Sequence, residues 1–260
     1  MEIIVLLKQI PATESIIEIA DDGVSIKTDD IKWVINPYDE FAVEEALKIR
    51  EKHGGTVTIL SVGSQKTTEA IRTALAMGAD KGILIDEPGS EKFDALGIAK
   101  IITAALKDIP YDLIIAGQRA VDDDDSQVGQ AVAEFLKIPH ISLVNKEEIS
   151  DGKIQCQRTI EGGTVVLEAP LPALFTTQRG LNEPRFASLP GIMKAKKKPL
   201  DIKKIGDLGL DAASDCKPLS QIVALKFPPQ RKGGRIIEGE SAQEKVTELV
   251  RALHEEAKVV

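Results

Sequence analysis

The chain has 260 residues, of which 43% are hydrophobic, enough for one sizeable α/β core with a smaller appendage at roughly 100–200 residues per domain. Its net charge of −8 and pI near 5.1 argue against a nucleic-acid partner, which requires a basic footprint to displace counterions from phosphates. The two cysteines, Cys156 and Cys216, share no short spacing and so indicate neither a disulfide framework nor a thiolate metal site, and no apolar run approaches the ~18 residues of a membrane span.

Met1 leads directly into the apolar run Ile3 to Leu7 without a basic region or a small-residue cleavage site, so the expectation is a soluble, cytoplasmic protein. Short continuous apolar runs at Glu2–Leu7, Thr56–Ser61, Gly82–Ile85 and Asp112–Ala116 read as parallel strands covered on both faces. Helical patterns follow them at Phe41–Glu51, where Ala42, Val43, Ala46 and Leu47 share a stripe, and at Thr67–Met77, Asp94–Leu106 and Val128–Leu136. Strand–helix alternation over residues 1–145 predicts a doubly wound parallel sheet, whose ligands sit beyond the carboxyl ends of the strands.

Two stretches fall at such positions. Asn36-Pro37-Tyr38-Asp39-Glu40 precedes the first helix with Asp39 as its expected N-cap, an ordinary helix start that also puts Asn36 within reach of an adenine or ribose. Gly117 to Gly129, reading GQRAVDDDDSQVG, lies between the strand at 112–116 and the helix at 128–136. A glycine at the strand end and free N–H groups at the helix start suit a phosphate. Four carboxylates would repel one, so main-chain N–H groups, with Ser126 and Gln127, are the expected donors. Asp122 to Asp125 with Ser126 can equally serve only to cap the helix and complement its dipole. The stretch is neither a Walker loop nor a GxGxxG fingerprint.

Beyond residue 150, Lys153–Ile160 and Thr164–Glu168, joined by Glu161-Gly162-Gly163, read as a hairpin forming an antiparallel edge on the sheet. Leu181 to Lys198, LNEPRFASLPGIMKAKKK, places apolar Leu189, Ile192 and Met193 beside prolines and then Lys194, Lys196, Lys197 and Lys198. Basic runs are usually solvated faces, yet this combination reads as a contact segment. Residues 199–240, rich in proline and glycine and with little periodicity, form an arm too poor for a second core; it ends in a helix with a Ser241/Glu244 capping box and a stripe of Val246, Leu249, Val250 and Leu253. The three histidines, His53, His140 and His254, are scattered, and no GxSxG elbow, Cys/His pair or HExxH occurs. What remains is a nucleotide pocket with contact surfaces and no acid–base machinery, as expected where a cofactor carries the chemistry.

The stretches VINPYDEFAVEEAL (34–47), AIRTALAMGAD (70–80), GQRAVDDDDSQVGQ (117–130), LNEPRFASLPGIMKAKKK (181–198) and FPPQR (227–231) resemble, in this order and over essentially the whole chain, the electron transfer flavoprotein β subunit. The resemblance implies an adenine-nucleotide α-hydrolase-like fold over residues 1–198, with 199–260 packing on a partner subunit. It implies a heterodimer with an α subunit that holds most of one FAD, and a β subunit that binds AMP through residues matching Leu6, Asn36, Pro37, Tyr38, Asp39, Val62 and Gly117 to Val128, namely Gln118, Arg119, Ala120, Val121, Asp122, Asp123, Asp124, Asp125, Ser126 and Gln127. Tyr38 matches an aromatic position near the flavin. Leu189 matches a leucine that anchors in acyl-CoA dehydrogenases, with Ile192 and Met193 beside it, and Lys194 and Lys197 match lysines methylated in some members. Electrons would pass onward to a quinone-linked membrane oxidoreductase, without membrane insertion and without nucleic acid. A eukaryotic version would sit in the mitochondrial matrix.

Electron-bifurcating members bind a second FAD and NADH in place of AMP, and their loops commonly carry a glycine in the aspartate run. Asp123 and Asp124 here resemble the AMP type, although Ser126 and Val128 depart from its usual Asn and Thr, and Gln127-Val128-Gly129 resembles both. A stand-alone nucleotide-binding stress-type protein would account for residues 1–145 and leave 181–260 without a purpose.

Overall fold

The apolar runs of the N-terminal half form the centre of a nine-stranded sheet in the computed structural model, which describes residues 1–230 and 233–260 and, at Glu91, the backbone alone. Arg231, the last residue of the FPPQR stretch, lies outside the described residues. The chain divides into two units, Met1–Val223 and Ala224–Val260, each described by itself.

In the first unit the elements run β1 (Glu2–Leu6), β2 (Gln9–Pro11), β3 (Trp33–Ile35), α1 (Pro37–His53), β4 (Thr56–Gly63), α2 (Thr68–Met77), β5 (Lys81–Asp86), α3 (Ala95–Leu106), β6 (Leu113–Gly117), α4 (Val128–Leu136), β7 (His140–Ser150), β8 (Lys153–Ile160), β9 (Gly163–Pro170), β10 (Ala173–Thr177), α5 (Leu189–Ala195) and β11 (Leu200–Lys203). The large sheet has the order β11-β5-β4-β1-β6-β10-β7-β8-β9, parallel from β11 to β7 and antiparallel from β7 to β9, while β2 and β3 make a separate antiparallel pair.

Alternation along β1 shows why these strands read as unbroken apolar runs. Ile3 and Val5 join a core with Ala42, Val43 and Leu47 of α1 and Ile71 and Leu75 of α2, whereas Ile4 and Leu6 join a second core with Ile101 and Ile102 of α3 and Val132 of α4. Both faces are covered, so both sets must be apolar. The chain winds one way from β1 through β4 to β5 and then returns to β6 on the other side of β1, where Leu6 pairs with Ala116. The topological switch point therefore lies between β1 and β6.

Several expectations shift. α1 begins at Pro37, whose ring presets the backbone for a first helical position, and Asn36 occupies the N-cap position, so Asp39 lies inside the first turn and is no cap. The aperiodic stretch after 199 contributes β11, which pairs parallel with β5, and Ile205 and Cys216, which are buried in the second core. The contact segment contains a helix, α5, which its sequence did not indicate. The hairpin closes between Ile160 and Gly163 as its glycines indicate.

In the second unit, α6 (Ala242–Arg251) starts at Ser241, whose Oγ accepts from Glu244 N–H at 3.2 Å. Glu244 turns its carboxylate to the N–H of Glu240 at 3.0 Å, one residue short of a reciprocal capping box. Val246, Leu249 and Val250 on this helix are exposed.

Candidate functional site

At the switch point the carboxylate of Asp39 fastens three segments together. Its Oδ2 accepts from Lys8 N–H at 2.7 Å, and its Oδ1 accepts from Gly117 N–H at 3.1 Å and from Asn36 Nδ2 at 3.0 Å. Asp39 is 5% exposed, and burial pushes its carboxyl up to about 7 against the pull of those three donors. The Asn36 amide extends the fastening to the acidic loop: Nδ2 donates to Arg119 O at 2.8 Å, and Oδ1 accepts from Val121 N–H at 3.2 Å. Thr177, at the end of β10, donates to Tyr38 O at 2.8 Å. Gly117 permits this convergence, since a Cβ there would lie 2.2 Å from Asp39 Oδ1.

The four aspartates beyond Gly117 are not gathered on the start of α4. Gln127 takes the N-cap position and gives that helix no side-chain acceptor. Asp122 and Asp123 instead meet the ammonium of Lys8, at 2.9 and 2.8 Å. Asp124 lies 3.3 Å from Arg119 Nε, and Asp125 accepts from the side chain of Gln127. Arg119 also donates from Nη2 to the Tyr38 hydroxyl at 3.3 Å, with its guanidinium 5.4 Å from the ring centre. Asp124 and Ser126 adopt left-handed backbone, with φ of 54° and 57°, a conformation that aspartate tolerates better than bulky residues do. The carboxylates are thus drawn towards cations, and the reading in which they cap α4 is set aside. No side chain caps the N–H groups that open α4.

Of the residues expected at this site, Asn36, Pro37, Tyr38, Asp39 and Gly117 to Val128 converge at the ends of β1 and β6. Leu6 is buried in the second core at the end of β1, and Val62, near the end of β4, packs against the same core. Lys8 and Thr177 belong to the arrangement and were not foreseen; Gly129 closes the expected loop, and a Cβ there would lie 2.9 Å from Thr176 Cγ2, so α4 starts hard against the end of β10. A lysine directly after an apolar strand, at the edge where such sheets bind ligands, is the signal that could have found Lys8.

The contact segment is held at both ends. In front, Arg185 Nε and Nη2 grip the two oxygens of buried Glu44 at 2.8 and 2.9 Å, Arg185 Nη1 reaches Glu51 Oε1 at 2.6 Å, and Asn182 Nδ2 donates to Phe41 O at 3.0 Å and Glu45 Oε2 at 2.7 Å. Behind, Arg72 Nη1 donates to Ala195 O and Lys198 O at 2.6 and 2.7 Å, while Lys198 Nζ donates to the Leu75, Gly78 and Ala79 carbonyls at the end of α2. Lys198 is therefore a helix-capping residue and leaves the solvated basic run.

Between these anchors α5 stands with Leu189 80% exposed, Met193 72% and Ile192 44%, next to Phe186 at 97%. Ser188 Oγ caps it, accepting from Gly191 N–H at 3.1 Å. A Cβ at Gly191 would lie 2.4 Å from Ala76 O, so Gly191→Ala should push α5 off α2 and lower stability by about 1–3 kcal/mol, the usual range for overpacking. Thermal unfolding of that variant checks the contact; a midpoint equal to wild type would contradict it.

Beneath the segment, burial and the neighbouring Glu45 push Glu147 up to about 7, and burial with Glu147 pushes the Cys156 thiol up to about 12, which leaves that thiol unreactive at neutral pH. Among the described residues no group of three or more His, Cys, Asp or Glu is placed to hold a metal, and no helix is long and apolar enough to cross a membrane.

Comparison with known proteins extends these observations to the whole chain. The family profile for the electron transfer flavoprotein domain matches residues 24–207. The chain is 42% identical, over the full length of both, to the electron transfer flavoprotein subunit beta of Bacillus subtilis (strain 168). It is 37% identical to the human protein of that name, covering 92% of this chain and 93% of the other, and 39% identical to the one from Syntrophomonas wolfei, covering 92% and 91%.

Proposed function

Because the chain belongs to the electron transfer flavoprotein family, as a β subunit of this electron carrier, we propose that it pairs with an α subunit, takes electrons from acyl-CoA dehydrogenases and passes them towards a quinone-linked oxidoreductase. FAD, shared with the α subunit, supplies the redox chemistry when bound. The β subunit binds AMP as a structural nucleotide in the switch-point crevice and docks the donor enzyme through α5.

One observation carries the docking role: Leu189 and Met193 stand in solvent on a backbone fixed from both ends by Arg185, Arg72 and Lys198. Single exposed apolar residues are ordinary, but an ordered group of them is a recognition surface. Burying one leucine contributes roughly 1.5–3 kcal/mol, which suits a contact that must release after each transfer. Lys194 and Lys197 add steering towards acidic partners, raising association rate more than affinity. Leu189→Ala should slow reduction by acyl-CoA dehydrogenase about tenfold or more while FAD content stays constant. Stopped-flow reduction kinetics at wild-type rate would contradict the assignment.

For the crevice, the donor set fits an adenine mononucleotide. The start of α4 offers main-chain N–H groups, Lys8 and Arg119 balance the aspartates, and the side chains of Ser126 and Gln127, expected as donors, are instead turned to Asp124 O and Asp125. A second flavin with NADH is the rival ligand. The left-handed φ at Asp124 marks a position where a glycine would fit equally well, and the aspartate present spends its carboxylate on Arg119, which favours the smaller nucleotide. The second unit, Ala224–Val260, ending in α6 with its exposed apolar stripe, is proposed to pack on the α subunit, whereas residues 199–223, expected to do the same, pack on this chain's own sheet and core.

A further inference from the structure

We propose that Lys8 is the charge-balancing residue of the acidic loop, the group that lets an anionic mononucleotide approach four aspartates; this rests on the nucleotide reading above. Lys8 leaves the end of β1 with its N–H fixed to Asp39 Oδ2 at 2.7 Å, so its side chain departs from a fixed point at the switch crevice. From there the ammonium reaches Asp122 Oδ1 at 2.9 Å and Asp123 Oδ2 at 2.8 Å, more than a hundred residues away in sequence. Asp122 and Asp123 raise the Lys8 pKa in spite of the opposing effect of burial, so the group stays cationic.

Without Lys8, two carboxylates would face the phosphate of a mononucleotide uncompensated, since Arg119 is engaged with Asp124 and Gln127 with Asp125. Like charges a few ångströms apart in a half-buried crevice repel strongly. Lys8 acts here through Asp122 and Asp123, as a positioning residue.

The test uses the complex with its α subunit, loaded with radiolabelled AMP and followed by the rate of nucleotide release. Lys8→Gln should release AMP roughly tenfold faster than wild type, and the difference should shrink in high salt. Lys8→Arg should behave like wild type. The triple variant Lys8→Gln, Asp122→Asn, Asp123→Asn should return release to within about twofold of wild type, a rescue that a purely structural lysine would not give. Wild-type release in Lys8→Gln, or a triple variant as fast as the single one, overturns the proposal. A wild-type complex that retains no AMP overturns the nucleotide reading itself, and the proposal falls with it.

Discussion

Asp39→Asn is expected to destabilise the protein by about 2–4 kcal/mol and to loosen the whole acidic loop. Both carboxylate oxygens accept from N–H donors, Lys8 on one side and Gly117 with Asn36 on the other. An asparagine must turn its own NH2 towards one of those sides, leaving buried donors facing each other at about 1–3 kcal/mol per unsatisfied group. The effect depends on pH. Because the folded-state pKa is raised from 3.8 to about 7, the folded protein holds a proton that the unfolded chain has lost between those values. That stabilisation is complete below about 4, declines as pH rises and is gone above about 7. Asp39→Asn removes this titration, so its stability should stay level between about pH 4 and 7, where that of the wild type declines. Urea unfolding of both proteins across this range checks the slope; a gap independent of pH would contradict the buried, raised carboxyl.

Arg185→Ala should cost about 2–3 kcal/mol and impair docking more than it impairs nucleotide retention. Glu44 is buried, with 7% of its side chain exposed, and the removal of its guanidinium partner leaves a charge with little solvent to replace it. Breaking a buried pair typically costs about 3–5 kcal/mol, and the value here is reduced because Arg185 itself is 35% exposed. The front anchor of the segment that presents Leu189 is lost with it. Transfer from acyl-CoA dehydrogenase should fall while bound AMP is unchanged, and Glu44→Gln in the same chain should recover part of the stability by removing the stranded charge. Equal loss of both activities would show that the segment and the crevice are not separable.

The central strands were legible because a doubly covered parallel sheet demands apolar residues at every position, a pattern that IIVL and LIIAG satisfy without tertiary information. α5 was not, because its seven residues include Pro190 and Gly191 and its order comes from Arg72 and Lys198, contacts remote in sequence. For the same reason nothing in the run Lys196 to Lys198 set Lys198 apart, although it closes the end of α2. β11 escaped notice since LDIK at a sheet edge is short and half polar. At the crevice, the position of the acidic loop after β6 was legible, but the partner of its first two aspartates was not, since Lys8 lies 114 residues before Asp122. Asp39 was taken for a cap because the proline before it hid an earlier helix start.

This β subunit is proposed to carry an adenine mononucleotide at the switch point while sharing one flavin with its α subunit. Co-purifying the chain with its α subunit, denaturing the complex and identifying the released nucleotides by chromatography and mass spectrometry tests it directly. One FAD and one AMP per heterodimer is the predicted result, and two FADs with no AMP would contradict it.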